Sequence, residues 1–205
     1  MKTIEPGDLR QYSDVLLTRG GEIVTLRFVE VTDAAALQTY FRNLSVRSRY
    51  NRLMGAASEL PVGQLEKFIH VGDGGSFSVV ATMKADGVDR IVGEARYALD
   101  EDTARFEFGL SIDDGLQRKG LGLALLSNLA CRAAALGAET LFGDTLRSND
   151  AMQALARKAG FSFVSTPGDW KQVRFEKRIT IVPQDIQCAS WRVRAELGAY
   201  APLVH

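Results

Sequence analysis

The chain has 205 residues, 25 Lys and Arg balance 25 Asp and Glu, and it is 46% hydrophobic and 24% charged. Those values describe one ordinary globular domain of about 100–200 residues plus extensions, and zero net charge argues against a nucleic-acid binder, which carries a basic excess. Two cysteines, Cys131 and Cys188, and two histidines, His70 and His205, argue against a disulfide scaffold and a metal site. No uncharged apolar run approaches ~18 residues and no signal-peptide region is seen, so a soluble, cytoplasmic, membrane-free setting is expected.

Residues 1–21 are polar, end in Arg19-Gly20-Gly21 and read as an N-terminal extension. Residues 22–31, EIVTLRFVEV, alternate and read as a strand. Thr32 then stands as N-cap of an amphipathic helix whose Leu37, Tyr40, Phe41 and Leu44 recur at helical spacing. Residues 45–53 continue as a second helix. Its Arg47, Arg49 and Arg52 read first as a solvated face and second as a patch for substrate or for the 3′-phosphate of a cofactor. Pro61 opens a third helix at its first position.

Three β-rich runs, 76–83, 90–99 and 104–112, are separated by short turns and read as an antiparallel meander. A glycine-rich segment, DDGLQRKGLG, runs into an apolar helix built on Leu121, Leu125, Leu129 and Leu136 and ended by Gly137. A strand at 139–146 and a helix opened by Ser148-Asn149-Asp150 follow, with Gly160 as its C-terminal glycine. Residues 161–164 and 171–181 are the last strands. In the tail, Ile186, Ala189, Val193 and Leu197 have roughly helical spacing, suited to packing on the domain or on a second subunit, so a homodimer stays open. The order β-ααα-βββ-α-β-α-ββ predicts an α/β fold with a mixed, mostly antiparallel sheet flanked by helices, over residues 22–181 with a tail at 182–205. It excludes a dinucleotide-binding fold, which alternates β and α from the start.

The chemistry concentrates after the run Phe106-Glu107-Phe108-Gly109-Leu110-Ser111-Ile112. A strand ends there, and a basic, glycine-punctuated loop opens a long helix. Such a loop leaves the first helical N–H groups unpaired, and with the helix dipole they form an anion site. Arg118 and Lys119 add charge, and Gly120 and Gly122 let a ligand approach the backbone. Neither GxxxxGK[ST] nor GxGxxG is present.

What is present is Gln117-x-x-Gly120-x-Gly122, and here the chain resembles the GNAT superfamily of acetyl-CoA-dependent N-acyltransferases, whose main motif is Q/R-x-x-G-x-G/A between a strand and a helix. A second block, from Ser148-Asn149-Asp150 to Gly160-Phe161, resembles the family's Asn-led helix ending in Gly-Phe. Thr25-Leu26-Arg27 and Leu44-Ser45-x-x-Ser48-Arg49-Tyr50 resemble a subgroup that includes the acetyltransferase domains of bacterial protein-lysine acetyltransferases. The resemblance covers about residues 22–180.

The resemblance implies a GNAT-type fold and acetyl-CoA as cosubstrate, with no metal. Leu110, Ser111 and Ile112 would pair with the pantetheine arm like an added strand. Gln117, Arg118, Lys119, Gly120, Leu121 and Gly122 would form the cofactor loop, with the N–H groups from Arg118 onward on the pyrophosphate. Asn149 would contact the pantetheine region, or simply cap its helix. Glu107 falls where the similar protein acetyltransferases place a general base, and it also has a reading as an ordinary strand-surface charge. A base is needed because an amine of pKa ~10.4 is neutral only about one time in 2,500 at pH 7. The N–H of Leu110 would meet the charge developing on the thioester oxygen.

One departure stands out. Many members carry a Tyr four residues before the Gly of the Gly-Phe pair, as general acid toward the CoA sulfur, and this chain has Ala156. The expected activity is acetyl transfer to a primary amine, first a protein lysine, with a small-molecule amine or a non-catalytic acyl-CoA-binding module as alternatives. Acidic residues at 100–114 and basic ones from Arg118 onward are expected to face acceptor and cofactor respectively.

Overall fold

The computed structural model describes residues 13–71, 76–100, 102–135, 138–164 and 169–180. Its strands are β1 (Ser13–Leu17), β2 (Ile23–Phe28), β3 (Ser76–Ala85), β4 (Val88–Asp100), β5 (Arg105–Ile112), β6 (Thr140–Leu146), β7 (Ser162–Val164) and β8 (Gln172–Arg178). They form one sheet in the order β1-β2-β3-β4-β5-β6-β8-β7. Its helices are α1 (Ala34–Asn43), α2 (Val46–Leu53), α3 (Val62–Ile69), α4 (Leu121–Ala135) and α5 (Asp150–Lys158). Every neighbouring pair is antiparallel except β5 and β6. The α/β class and the mostly antiparallel sheet expected from the sequence are what the chain adopts. The end of α4 at Gly137 and the helix expected after Pro183 lie outside the described residues.

Side chains alternate across β4 and β5, so each strand serves two layers. Tyr97, Phe106 and Phe108 point to one face, where Tyr97 and Phe106 stack at 4.9 Å and Leu121, Leu125 and Leu129 of α4 are fully buried. Glu94, Arg96, Glu107, Gly109 and Ser111 share the opposite face. There Tyr40 of α1 meets Ser111 and Arg52 of α2 meets Glu94.

The feature that positions the site is a fork. β5 and β6 pair over three positions only, from Arg105 opposite Thr140 to Glu107 opposite Phe142. Each strand then continues alone, to Ile112 and to Leu146. Gly143 sits at the fork, where a Cβ would lie 2.9 Å from the Phe108 carbonyl oxygen and 2.8 Å from the Phe175 ring. Beyond it, about 16 Å of β5 main chain has no β6 neighbour.

Three sequence expectations change. Residues 13–17, read as part of a polar extension, form β1, paired with β2 from Ser13–Arg27 to Leu17–Ile23. The cause is a buried partner. Asp14 accepts from Arg132 at 2.9 Å and from Asn128 at 2.8 Å, and Arg132, fully buried, also donates to Asn128 Oδ1 at 2.6 Å and lies over the Phe28 ring at 5.0 Å.

Thr32 does not cap α1. A 3-10 turn, Val31–Asp33, precedes that helix, and the Asp33 carboxylate accepts the Glu30 N–H at 2.8 Å and two bonds from Arg27 at 2.7 and 2.8 Å. Burial pushes the Asp33 carboxyl up, but the Arg27 hydrogen bonds, the Glu30 N–H and the Arg27 charge together outweigh it and hold it below the usual range.

The basic face of α2 is not solvated as a whole. Arg49 is buried and donates to the carbonyls of Phe41, Arg42, Leu44 and Ala57 at 2.6–3.1 Å, closing the C-terminal end of α1. Of the three arginines, Arg47 alone is exposed.

Candidate active site

A cleft of about 880 Å³ opens along the fork. One side of it is built by the loop between β5 and α4. Asp113 accepts the Gly115 N–H at 2.9 Å and starts a 3-10 turn. Arg118 and Gly120 then take positive φ, 64° and 94°. Leu123 and Ala124 both donate to the Gly120 carbonyl. The N–H groups of Gly120, Leu121 and Gly122 meet no acceptor among the described residues. Three such donors at the start of a fifteen-residue helix are suited to an anion.

The glycines do more than admit a ligand. A Cβ on Gly120 would lie 2.9 Å from Arg19 Cγ, and one on Gly122 would lie 3.2–3.3 Å from Leu155 and Ile112. Arg19 is held there by its own N–H, which donates to the Lys119 carbonyl at 2.7 Å. The turn between β1 and β2 thus braces the loop and adds a cation to the cleft.

Leu110, Ser111, Ile112, Gln117, Arg118, Gly120, Gly122 and Asn149 all line the cleft, as does Glu107. The side chains of Lys119 and Leu121 do not. Lys119 pairs with Glu22 at 3.5 Å, and Leu121 is fully buried. The Gln117 amide donates to the Ile112 carbonyl at 3.1 Å and to Ser48 at 3.2 Å, tying loop to α2. Asp114 reinforces this tie by accepting from the Ser45 N–H and the Ser45 and Ser48 hydroxyls. Burial raises its carboxyl, and these donors outweigh that and hold it below the usual range. Asn149 caps α5 by accepting the Met152 N–H at 3.2 Å and donates to Thr145 at 3.0 Å. Ala156 is fully buried, so its position on α5 does not face the cleft.

The other side is the face of β4 and β5 that carries Glu94, Arg96 and Glu107, roofed by α2 and α3. Glu107 is exposed and sits where β5 and β6 part. Beside it lies a buried network that sequence reasoning missed. Glu94, fully buried, takes two bonds from Arg52, at 2.7 and 3.0 Å, and one from Ser111 at 2.5 Å. Ser111 also meets the Tyr40 hydroxyl at 3.0 Å. Burial and the Glu94 charge push the Tyr40 phenol up, so it stays protonated. The available signal was Glu94 and Arg96 two apart in a central strand, since charges inside a sheet covered on both faces need partners.

The expected acidic acceptor side does not form. Asp100 holds the turn after β4, Asp113 pairs with Arg90 at 3.0 Å, and Asp114 serves Ser45 and Ser48. Of the described residues in that acidic stretch, Glu107 alone lines the cleft, with Arg52, Lys67 and Arg96 around it. Among the described residues no group of three or more His, Cys, Asp or Glu side chains is placed to hold a metal ion. No helix among them is long and apolar enough to cross a membrane.

Comparisons with known proteins agree with this geometry. A Pseudomonas aeruginosa protein named as an acetyltransferase is 28% identical over 153 residues, spanning 75% of this chain and 82% of its own length. The GNAT domain of S. lividans PAT superposes with a TM-score of 0.72 at 22% identity, over 81% of this chain and 96% of that domain. Spermidine N-acetyltransferase from Vibrio cholerae, solved with CoA and spermine, superposes with a TM-score of 0.61 at 17% identity, over 77% and 96% of the two chains. These two structural likenesses show a shared fold. A family model described as the acetyltransferase (GNAT) family matches residues 37–161, more than half of the sequence, and the chain therefore belongs to the GNAT family, acyltransferases that use acetyl-CoA.

Proposed function

We propose that this protein moves an acetyl group from acetyl-CoA directly to a primary amine, with a lysine side chain of a protein as the first acceptor class. The observation that carries the reading is the fork. It leaves a free β5 edge on one side of Glu107 and an open face on the other, so donor and amine can meet at one carboxylate. The N–H groups of the 118–122 loop hold the pyrophosphate, and the β5 edge from Leu110 to Ile112 pairs with the pantetheine arm. Glu107 accepts the proton of the ammonium group, directly or through one water. The freed nitrogen bonds to the thioester carbonyl carbon, the Leu110 N–H donates to the carbonyl oxygen, and the carbon–sulfur bond breaks. With Ala156 buried on α5, the sulfur leaves as a thiolate, which a thiol pKa of ~8.5 allows.

A lysine acceptor is supported by the exposure of Glu107 in a wide cleft and by the fold shared with the PAT domain. The fold shared with a polyamine acetyltransferase supports a small amine as the second acceptor class. The test is incubation with acetyl-CoA and a panel of lysine peptides, amino acids and polyamines. Amine-dependent release of free thiol, with the mass of one acetyl group gained by the amine, is the expected result. CoA binding with no transfer to any amine would overturn the reading.

A further inference from the structure

The acceptor side holds a cation that makes no ion pair among the described residues. Arg96 lines the cleft on β4, and its Nε is buried without a hydrogen-bond partner. Directly opposite on β3 stands Ser78, whose hydroxyl is also buried and unpartnered. No hydrogen bond or ion pair engages the rest of the Arg96 guanidinium among the described residues. Burial, and then the neighbouring Arg52 charge, pull its pKa down, while Glu107 alone opposes them. Arg52 commits Nε and one terminal nitrogen to Glu94. Its other nitrogen, Nη1, lies over Gly109, 3.2 Å from where a Cβ would begin. Gly109 is the β5 residue opposite Arg96, and Glu107 is opposite Ala98, so Arg96 and Glu107 are diagonal neighbours on one face, about 7–8 Å apart at their roots. Both arginines thus face the ground beside Glu107, and a buried Nε without an acceptor is costly unless a ligand supplies one.

We propose that Arg96, assisted by Arg52, is an anion-recognition subsite for the acceptor, so that the preferred amine carries a carboxylate close to the nitrogen that Glu107 deprotonates. This rests on the acetyl-transfer reading and narrows it. A free polyamine, cationic throughout, is disfavoured by the same two arginines. Two sources supply the required chemistry: the carboxylate of a free amino acid, or an acidic residue beside a lysine in a peptide.

The experiment compares acceptors differing only in that charge. One pair is Nα-acetyl-lysine against its N-methylamide, and the other is a capped Lys-Glu peptide against Lys-Gln. KM and kcat are measured for wild type, Arg96→Gln and Arg96→Lys, and binding of each probe to the CoA-loaded protein is measured by calorimetry. The carboxylate member of at least one pair is expected to win by about ten-fold or more, mainly in KM. That ratio should fall to about one in Arg96→Gln and survive in part in Arg96→Lys. A preference confined to one pair identifies the source. Wild type without preference, or a preference intact in Arg96→Gln, overturns the subsite. Transfer without preference leaves the activity standing. Carboxylate-dependent binding that Arg96→Gln abolishes, with no transfer to any probe, supports the subsite and removes the activity. Neither binding nor transfer of any probe overturns both.

Discussion

Two arginines on opposite faces of one sheet divide the molecule. Arg132 of α4, fully buried, has donors spent on Asp14, Asn128 and Tyr97 and its plane over Phe28. Arg96 of β4, half-buried one residue before Tyr97, has a buried Nε without a partner and no ion pair among the described residues. The same side-chain type closes a structural network on one face and is left open on the other. A satisfied buried network fixes a strand. An unsatisfied buried donor weakens a fold and persists where a site uses it. On the proposed mechanism the face carrying Arg132 is scaffold, and the face carrying Arg96 and Glu107 is the one assigned to the reactants.

The largest way to break this contrast is to remove one partner from the closed side. Arg132→Met removes the buried charge partner of Asp14 and should cost about 3–5 kcal/mol in a urea unfolding curve. Loss of β1 should follow, seen as fast amide exchange across residues 13–17. Gly143→Ala should cost about 1–3 kcal/mol, because the new methyl meets Phe175 and the Phe108 carbonyl at the fork.

Asp33→Asn probes the scaffold through pH. The folded carboxyl is held below its usual range, so its contribution is present above about pH 4, the unfolded pKa, and is lost as pH falls through the lower folded value. The variant should therefore be less stable than wild type by about 1–2 kcal/mol at pH 7 and converge with it in acid. Arg96→Gln should have the smallest effect on stability, within about 0.5 kcal/mol of wild type or slightly above it, since it removes a half-buried guanidinium that makes no ion pair among the described residues. A loss as large as that of Arg132→Met would erase the distinction between the two faces.

The residues differ in how far sequence reveals them, and the difference is one of range. The meander, the 117–122 loop and the Asn149 cap rest on periodicity and on contacts a few residues apart, so local pattern sufficed. β1 was hidden because Asp14 looks like a solvent residue until Arg132, 118 positions away, is placed beside it. Arg49 and Arg52 lie on a polar helix, yet their acceptors are carbonyls at the end of α1 and a carboxylate 42 positions on. The position of Glu107 at the cleft was legible because its strand leads straight into the loop. The acidic acceptor side was misjudged because charge counted along the chain ignores which carboxylates cap turns and pair locally.

The most direct measurement is single-turnover acetyl transfer by Glu107→Gln, with the melting midpoint and CoA affinity recorded on the same samples. Transfer should fall by about 10²–10⁴-fold, while CoA affinity stays within about two-fold and the midpoint within about 2 °C. Transfer at the wild-type rate in a folded, CoA-binding variant would contradict Glu107 as the base and the assignment of the open face to chemistry.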